Sequence, residues 1–219
     1  MSKIKVCIFD LDGTLLDTLS GIMYHINTVF SEEKLEPITL DMTREFVGNG
    51  MRNLITRACA SRGVTDTERV ERILKKYSDA YDADPYRLAQ PYDEITELID
   101  SLYSRGIKLA VLSNKPNFAA QMMVKNFFGE KFDSVRGGID GVALKPSPDG
   151  AHIILSELGC SPEECAFIGD GETDVLTALK LGARLPISVL WGFRERDLLE
   201  SYGAKTFVST PSEILDIIM

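Results

Sequence analysis

Residues 6–18 read VCIFDLDGTLLDT. An apolar run ends in Asp10, a second acid follows at Asp12, Gly13-Thr14 comes next, and a third acid stands at Asp17. The stretch 4–9 has the length and β-branched content of a short buried strand. Carboxylates at the end of such a strand are costly, because burial and mutual repulsion disfavour their ionised forms. They need partners, and those partners must come from elsewhere in the chain.

Working outward, the pattern turns helical from about residue 18. Ile22, Ile26, Val29 and Phe30 recur at helical spacing, as do Leu54, Ile55, Ala58 and Cys59, and later Val70, Ile73, Leu74 and Tyr77. After Pro91 the texture changes to alternation. Ile95, Leu98, Ile99 and Leu102 predict a helix stopped at Arg105-Gly106, followed by a strand at 107–112 and a helix from about Pro116 to Phe128. A Gly-rich break leads to a helix at 151–158, a strand at 165–168 and a helix at 174–181. Strands at 187–190 and 206–208, with helices at 196–202 and from about Pro211, complete the chain. Strands alternating with helices predict an α/β fold, a Rossmann-like and mostly parallel sheet covered on both faces. The expected division is an α/β core of residues 1–15 and 88–219, interrupted by a helical insertion at 16–87.

The net charge of −9 makes a nucleic-acid or anionic-membrane surface a poor partner. No apolar stretch is long enough for a membrane span, and the first strand runs into acids where a leader would place a small-residue cleavage site, so a cytoplasmic protein is expected. Cys7, Cys59, Cys160 and Cys165 form no CxxC pair and read as free thiols.

Ligands of open α/β sheets bind at the carboxyl ends of the strands. Three predicted strands end in polar clusters: Asp10-Leu11-Asp12-Gly13-Thr14, Ser113-Asn114-Lys115, and Gly169-Asp170-Gly171-Glu172-Thr173-Asp174. If these strands are neighbours, Asp10, Asp12, Ser113 and Asp170 converge on one crevice. Oxygen ligands of this kind suit Mg²⁺, and Lys145, in Leu144-Lys145-Pro146-Ser147-Pro148, could add a fixed positive charge. Singly, each cluster also reads as a turn, a cap or a helix start. Other chemistries fit badly. Neither acidic loop has the Glu a calcium loop needs at its twelfth position, no GxxxxGK[ST] loop exists, and Asp174 stands where a dinucleotide fingerprint needs its third glycine. His25 and His152 are the two histidines, and His25 falls near an apolar helix face, where a structural role is expected.

The set resembles the haloacid dehalogenase-type hydrolases, in their phosphatase branch with a helical cap. That family's DxDGT[LV]xD motif matches Asp10 to Asp17, its strand-ending Ser/Thr matches Ser113, its lysine matches Lys145, and its GDxxxD matches Gly169 to Asp174. The insertion resembles the family's cap. Phe46-Val47-Gly48-Asn49-Gly50, Leu112-Ser113-Asn114-Lys115-Pro116 and Leu190-Trp191-Gly192-Phe193 are similar to the phosphoglycolate phosphatase subgroup, with Gly171 a departure where that subgroup usually has Ser.

The resemblance implies a Mg²⁺-dependent phosphomonoesterase acting on a small phosphorylated metabolite through an aspartyl-phosphate. It implies Asp10 as nucleophile and Asp12 as acid and then base. It implies Ser113, the Asn114 backbone N–H and Lys145 on the phosphoryl oxygens. Mg²⁺ would be held by Asp10, the backbone carbonyl of Asp12 and Asp170, with Asp174 orienting that shell. In the cap, Gly50 at a helix start and Arg52 in its first turn could hold a substrate carboxylate; a plain turn and a solvated charge is the equal alternative. A phosphosugar mutase or a pyrophosphatase of the same superfamily stays open. A phospho-aspartate signalling receiver is the rival from another class, against which stand Asp12 and the long insertion.

Overall fold

The computed structural model describes residues 3–219. The chain divides into two compact units, one of Met1–Asp17 with Pro91–Met219 and one of Thr18–Gln90.

The larger unit is built on six parallel strands. They are β1 (Val6–Phe9), β4 (Lys108–Pro116), β5 (Ser134–Gly138), β6 (Cys165–Gly169), β7 (Leu185–Val189) and β8 (Phe207–Val208), in the spatial order β5-β4-β1-β6-β7-β8. Two short strands, β2 (Leu16–Asp17) and β3 (Gln90–Pro91), form a separate two-stranded sheet. The helices of this unit are α5 (Ile95–Ser104), α6 (Asn117–Phe128), α7 (Asp149–Leu158), α8 (Glu172–Leu181), α9 (Arg196–Ser201) and α10 (Pro211–Ile218).

Side chains alternate across a strand. Val6 and Ile8, Ala110 and Leu112, and Cys165 and Phe167 therefore share one face, where they pack on Ala151, Ile154 and Leu155 of α7 and on Ala178 and Leu181 of α8. Cys7, Phe9, Leu109, Val111, Ala166 and Ile168 lie on the other face and are equally buried. A strand buried on both faces has no polar position, which is why β1 reads as an unbroken apolar run.

Register then fixes where the polar residues fall. Phe9 lies opposite Val111 of β4 and Ile168 of β6. Asp10 is one residue past Phe9, while Ser113 and Asp170 are each two residues past their own partners in the ladder. The chain passes from β1 to one side of the sheet and returns as β6 on the other, so the crevice beside β1 is the point at which strand order reverses.

β5 is a finding the sequence does not announce. It lies in the stretch read as a Gly-rich break, and it pairs with β4 at the sheet edge. β4 itself runs on through Pro116, past the expected end at 112, with an irregular register between Leu112 and Pro116.

The smaller unit holds four helices, α1 (Leu19–Glu32), α2 (Leu40–Phe46), α3 (Met51–Ala60) and α4 (Thr67–Ala83). Their apolar faces bury Ile22, Ile26, Phe30, Ile55, Ile73 and Tyr77. His25 is buried against Tyr81, and its Nε2 lies 3.0 Å from the carbonyl of Asp84, a structural setting. All four cysteines are free. Among the described residues no helix is long and apolar enough to cross a membrane.

Candidate active site

Asp10 leaves β1 with its N–H donating to the carbonyl of Ile168 at 2.8 Å, which ties its backbone to the sheet. Its Oδ1 accepts from the N–H of Leu11 at 2.7 Å and meets Lys145 Nζ at 2.7 Å. The same ammonium meets Asp174 Oδ1 at 2.6 Å, so Lys145 bridges two carboxylates. The second oxygen of Asp174 accepts from the N–H of Gly171 at 2.9 Å.

Lys145 comes from the loop before α7, and Asn114 holds that loop. The Asn114 amide donates to the Lys145 carbonyl at 2.9 Å and accepts from the Lys145 N–H at 2.8 Å. Ser113 is buried at the end of the apolar part of β4, where its Oγ accepts from the N–H of Lys115 at 3.2 Å.

Asp170 is buried, and each of its oxygens accepts one hydrogen bond from the chain. Thr14 Oγ1 donates to its Oδ1 and the N–H of Phe193 to its Oδ2, both at 2.8 Å. Two glycines let the backbone approach. Gly13 has φ +89°, and a Cβ there would lie 2.3 Å from Asp170 Oδ2; a Cβ on Gly192 would lie 2.3 Å from Asp170 Cβ. Trp191 completes the wall, its Nε1 donating to the carbonyl of Thr14 at 3.0 Å.

The electrostatics follow from burial. Asp10 is pushed up to about 7, first by loss of solvent and then by Asp174, with Lys145 pulling the other way. Asp170 is also pushed up to about 7, by burial and then by Asp10. Asp174 is raised by burial as well, against the pull of Lys145. Burial alone would lower Lys145, yet Asp10 and Asp174 hold it above its ordinary value. Three carboxylates around one ammonium, Asp170 and Asp174 buried and Asp10 half-buried, are short of positive charge. Asp10, Asp170 and Asp174 each offer an oxygen, all within 4.8 Å of one another, and an all-oxygen donor set of this size could hold a hard divalent cation.

Asp12 stands apart from that cluster. Both its oxygens accept from Lys115 Nζ, at 2.8 and 3.0 Å. The structure therefore brings together Asp10, Lys145, Asp170 and Asp174, with Asn114 bracing the lysine. Gly50 and Arg52 belong to the smaller unit. Gly50 precedes α3 with φ +81°, and Arg52 is held by Glu71, with Nη2 donating to Oε2 at 3.1 Å. Sequence reasoning passed over Thr14, Lys115 and Phe193 as functional residues, although each lies inside a stretch it quoted.

The model of the haloacid dehalogenase-like hydrolase family matches residues 7–186, and the chain belongs to that family. Phosphoglycolate phosphatase of Rhodospirillum rubrum is 31% identical over 206 residues, covering 91% of this chain and 85% of its own length. N-acetylmuramic acid 6-phosphate phosphatase of Pseudomonas aeruginosa is 28% identical over 219 residues, covering 99% and 95%. A solved structure from Lactobacillus delbrueckii subsp. bulgaricus, 31% identical, superposes with a TM-score of 0.93 over 99% of both chains. The chain is an enzyme of the phosphatase class and resembles the phosphoglycolate phosphatases.

Proposed function

We propose that the chain is a Mg²⁺-dependent phosphomonoesterase that works through an aspartyl-phosphate on Asp10, with 2-phosphoglycolate as its best-supported substrate. The observation that carries the reading is the convergence of Asp10, Lys145, Asp170 and Asp174 where strand order reverses. The similarity to phosphoglycolate phosphatases supports the substrate.

Asp10 Oδ2, the oxygen that neither Leu11 nor Lys145 engages, attacks phosphorus. As the Asp10–phosphorus bond forms, the ester bond breaks and Asp12 gives its proton to the departing oxygen. Asp12 then takes a proton from water as that water attacks phosphorus. The Asp10–phosphorus bond breaks and inorganic phosphate leaves. Ser113, the Asn114 backbone N–H and Lys145 hold the phosphoryl oxygens as charge moves across them. Lys145 also keeps Asp10 ionised in spite of its burial.

Mg²⁺ would be held by Asp10, the carbonyl of Asp12 and Asp170, and it would neutralise the anionic phosphoryl group. Asp174, with its oxygens on Lys145 and Gly171, orients that set. The residues 16–87 act as a cap that excludes water, with Gly50 and Arg52 as its contribution to substrate choice.

The test is hydrolysis of 2-phosphoglycolate, a sugar-acid phosphate and an aryl phosphate by the purified chain, with Mg²⁺ and after chelation, coupled to acid quenching and mass analysis. The expected result is Mg²⁺-dependent turnover and a phosphoryl adduct on Asp10. Full activity after verified metal removal, or an adduct on another residue, would overturn the mechanism.

A further inference from the structure

Two lysines are buried among the described residues, Lys145 and Lys115. Lys145 belongs to the chemistry at Asp10. Lys115 has no part in the steps above, yet its side chain is only 4% exposed and its ammonium meets both oxygens of Asp12. Burying an ammonium is expensive, and one ion pair at the crevice mouth would be served as well by an exposed lysine.

Position suggests its use. Asp12, as the proton donor to the departing oxygen, must lie within hydrogen-bond reach of that oxygen. Lys115 Nζ is one hydrogen bond further on. In a 2-phosphoglycolate ester the carboxylate is attached through a single carbon to that same oxygen, so it falls beside Asp12. A carboxylate there favours the protonated Asp12 that serves as the acid, and its own charge needs a cation beside it. The ammonium has three donors and can span two carboxylates, as Lys145 does between Asp10 and Asp174 at 2.7 and 2.6 Å.

We propose that Lys115 is the specificity residue for the substrate's carboxylate, bridging Asp12 and an acid group carried on the carbon next to the ester oxygen. The proposal rests on the phosphatase reading and narrows it to esters of α-hydroxy acids. A carboxylate remote from the ester oxygen, as on a sugar-acid phosphate, is out of reach of this lysine. Arg72, held by Glu33 through Nη2 on Oε2 at 2.9 Å, is the control cation.

The test compares kcat/KM for 2-phosphoglycolate and for its neutral amide, 2-phosphoglycolamide, with Mg²⁺. Wild type, Lys115→Met, Lys115→Arg and Arg72→Ala are measured, each checked for fold by circular dichroism. The wild type should favour the acid by about 10–100-fold, the worth of a charge-assisted hydrogen bond. Lys115→Met should bring that ratio near one, Lys115→Arg should keep most of it, and Arg72→Ala should leave it unchanged. Equal slowing on both esters means that Lys115 only orients Asp12, and overturns the proposal. So does a wild-type ratio within about twofold of one, a result that needs no variant to fold. Turnover of an aryl phosphate but of neither glycolate ester overturns the carboxylate site alone. No turnover of any phosphate ester sinks the phosphatase reading itself.

Discussion

Thr14→Val removes one hydroxyl and keeps the side-chain shape. Thr14 is fully buried, and its Oγ1 donates to Asp170 Oδ1 at 2.8 Å. Valine fills the same volume, so no cavity opens, and the loss is one hydrogen bond to a charged acceptor, about 1.5–3 kcal/mol. At about 1.4 kcal/mol per tenfold, that is a 10- to 100-fold weaker Mg²⁺ activation constant, in the range typical for groups that orient metal-holding carboxylates. The effect also has a pH signature. The Thr14 hydrogen bond favours the ionised Asp170 and partly opposes the upward push of burial. Without it Asp170 binds its proton more tightly, and Mg²⁺ must displace that proton. The deficit should be largest near pH 6 and shrink as the pH rises well above 7. The assay is initial rate against Mg²⁺ concentration at several pH values, with near-UV circular dichroism to verify the fold. A folded variant whose activation constant stays within about twofold of wild type at pH 6 would refute the argument that Asp170 is tuned through Thr14.

Asp10→Asn should abolish turnover and leave a folded protein that melts cooperatively, because the amide keeps the shape and loses the nucleophile; more than a few per cent of wild-type rate, as a rough threshold, in a folded sample would sink the covalent route. Without metal, Asp10 and Asp170 are raised to about 7 in the folded chain, above the carboxylate value of the unfolded chain. The native state therefore binds the protons more tightly, and their stabilising contribution is full at low pH and lost as pH rises to about 7. Chelated protein should accordingly melt at a lower temperature at pH 8 than at pH 6. Mg²⁺ should restore the pH 8 value, and Asp10→Asn should flatten the difference; pH-independent melting of chelated wild type would contradict this reading.

The alternation of strands and helices was legible because β1, β6 and residues 109–112 of β4 are buried on both faces and must be apolar there. β5 was not legible for the opposite reason. Its residues SVRGG sit half-buried at the sheet edge and pair through the backbone, which imposes no side-chain pattern. Gly137 is there because a Cβ would lie 2.5 Å from the carbonyl oxygen of Lys115, a packing demand invisible along the chain. At the site, acids at strand ends announced themselves. Which cation each acid meets did not, since Lys115 lies more than a hundred residues from Asp12 and its arrival depends on the β1–β4 register. The backbone N–H of Phe193 on Asp170 carries no signal in its residue type at all.

The reciprocal pair between the Asn114 amide and the Lys145 peptide has a consequence for how this molecule can change. The lysine is pinned from the strand side by two neutral hydrogen bonds, at 2.9 and 2.8 Å. Residues 139–144 therefore act as slack chain between β5 and the pinned residue, and most of them are exposed. Lengthening slack costs little, since closure entropy grows only slowly with length. Insertions between Ile139 and Ala143 should be tolerated with the ammonium still seated between its two carboxylates. That makes this loop the place where new sequence can be added at the rim of the crevice without rebuilding its chemistry.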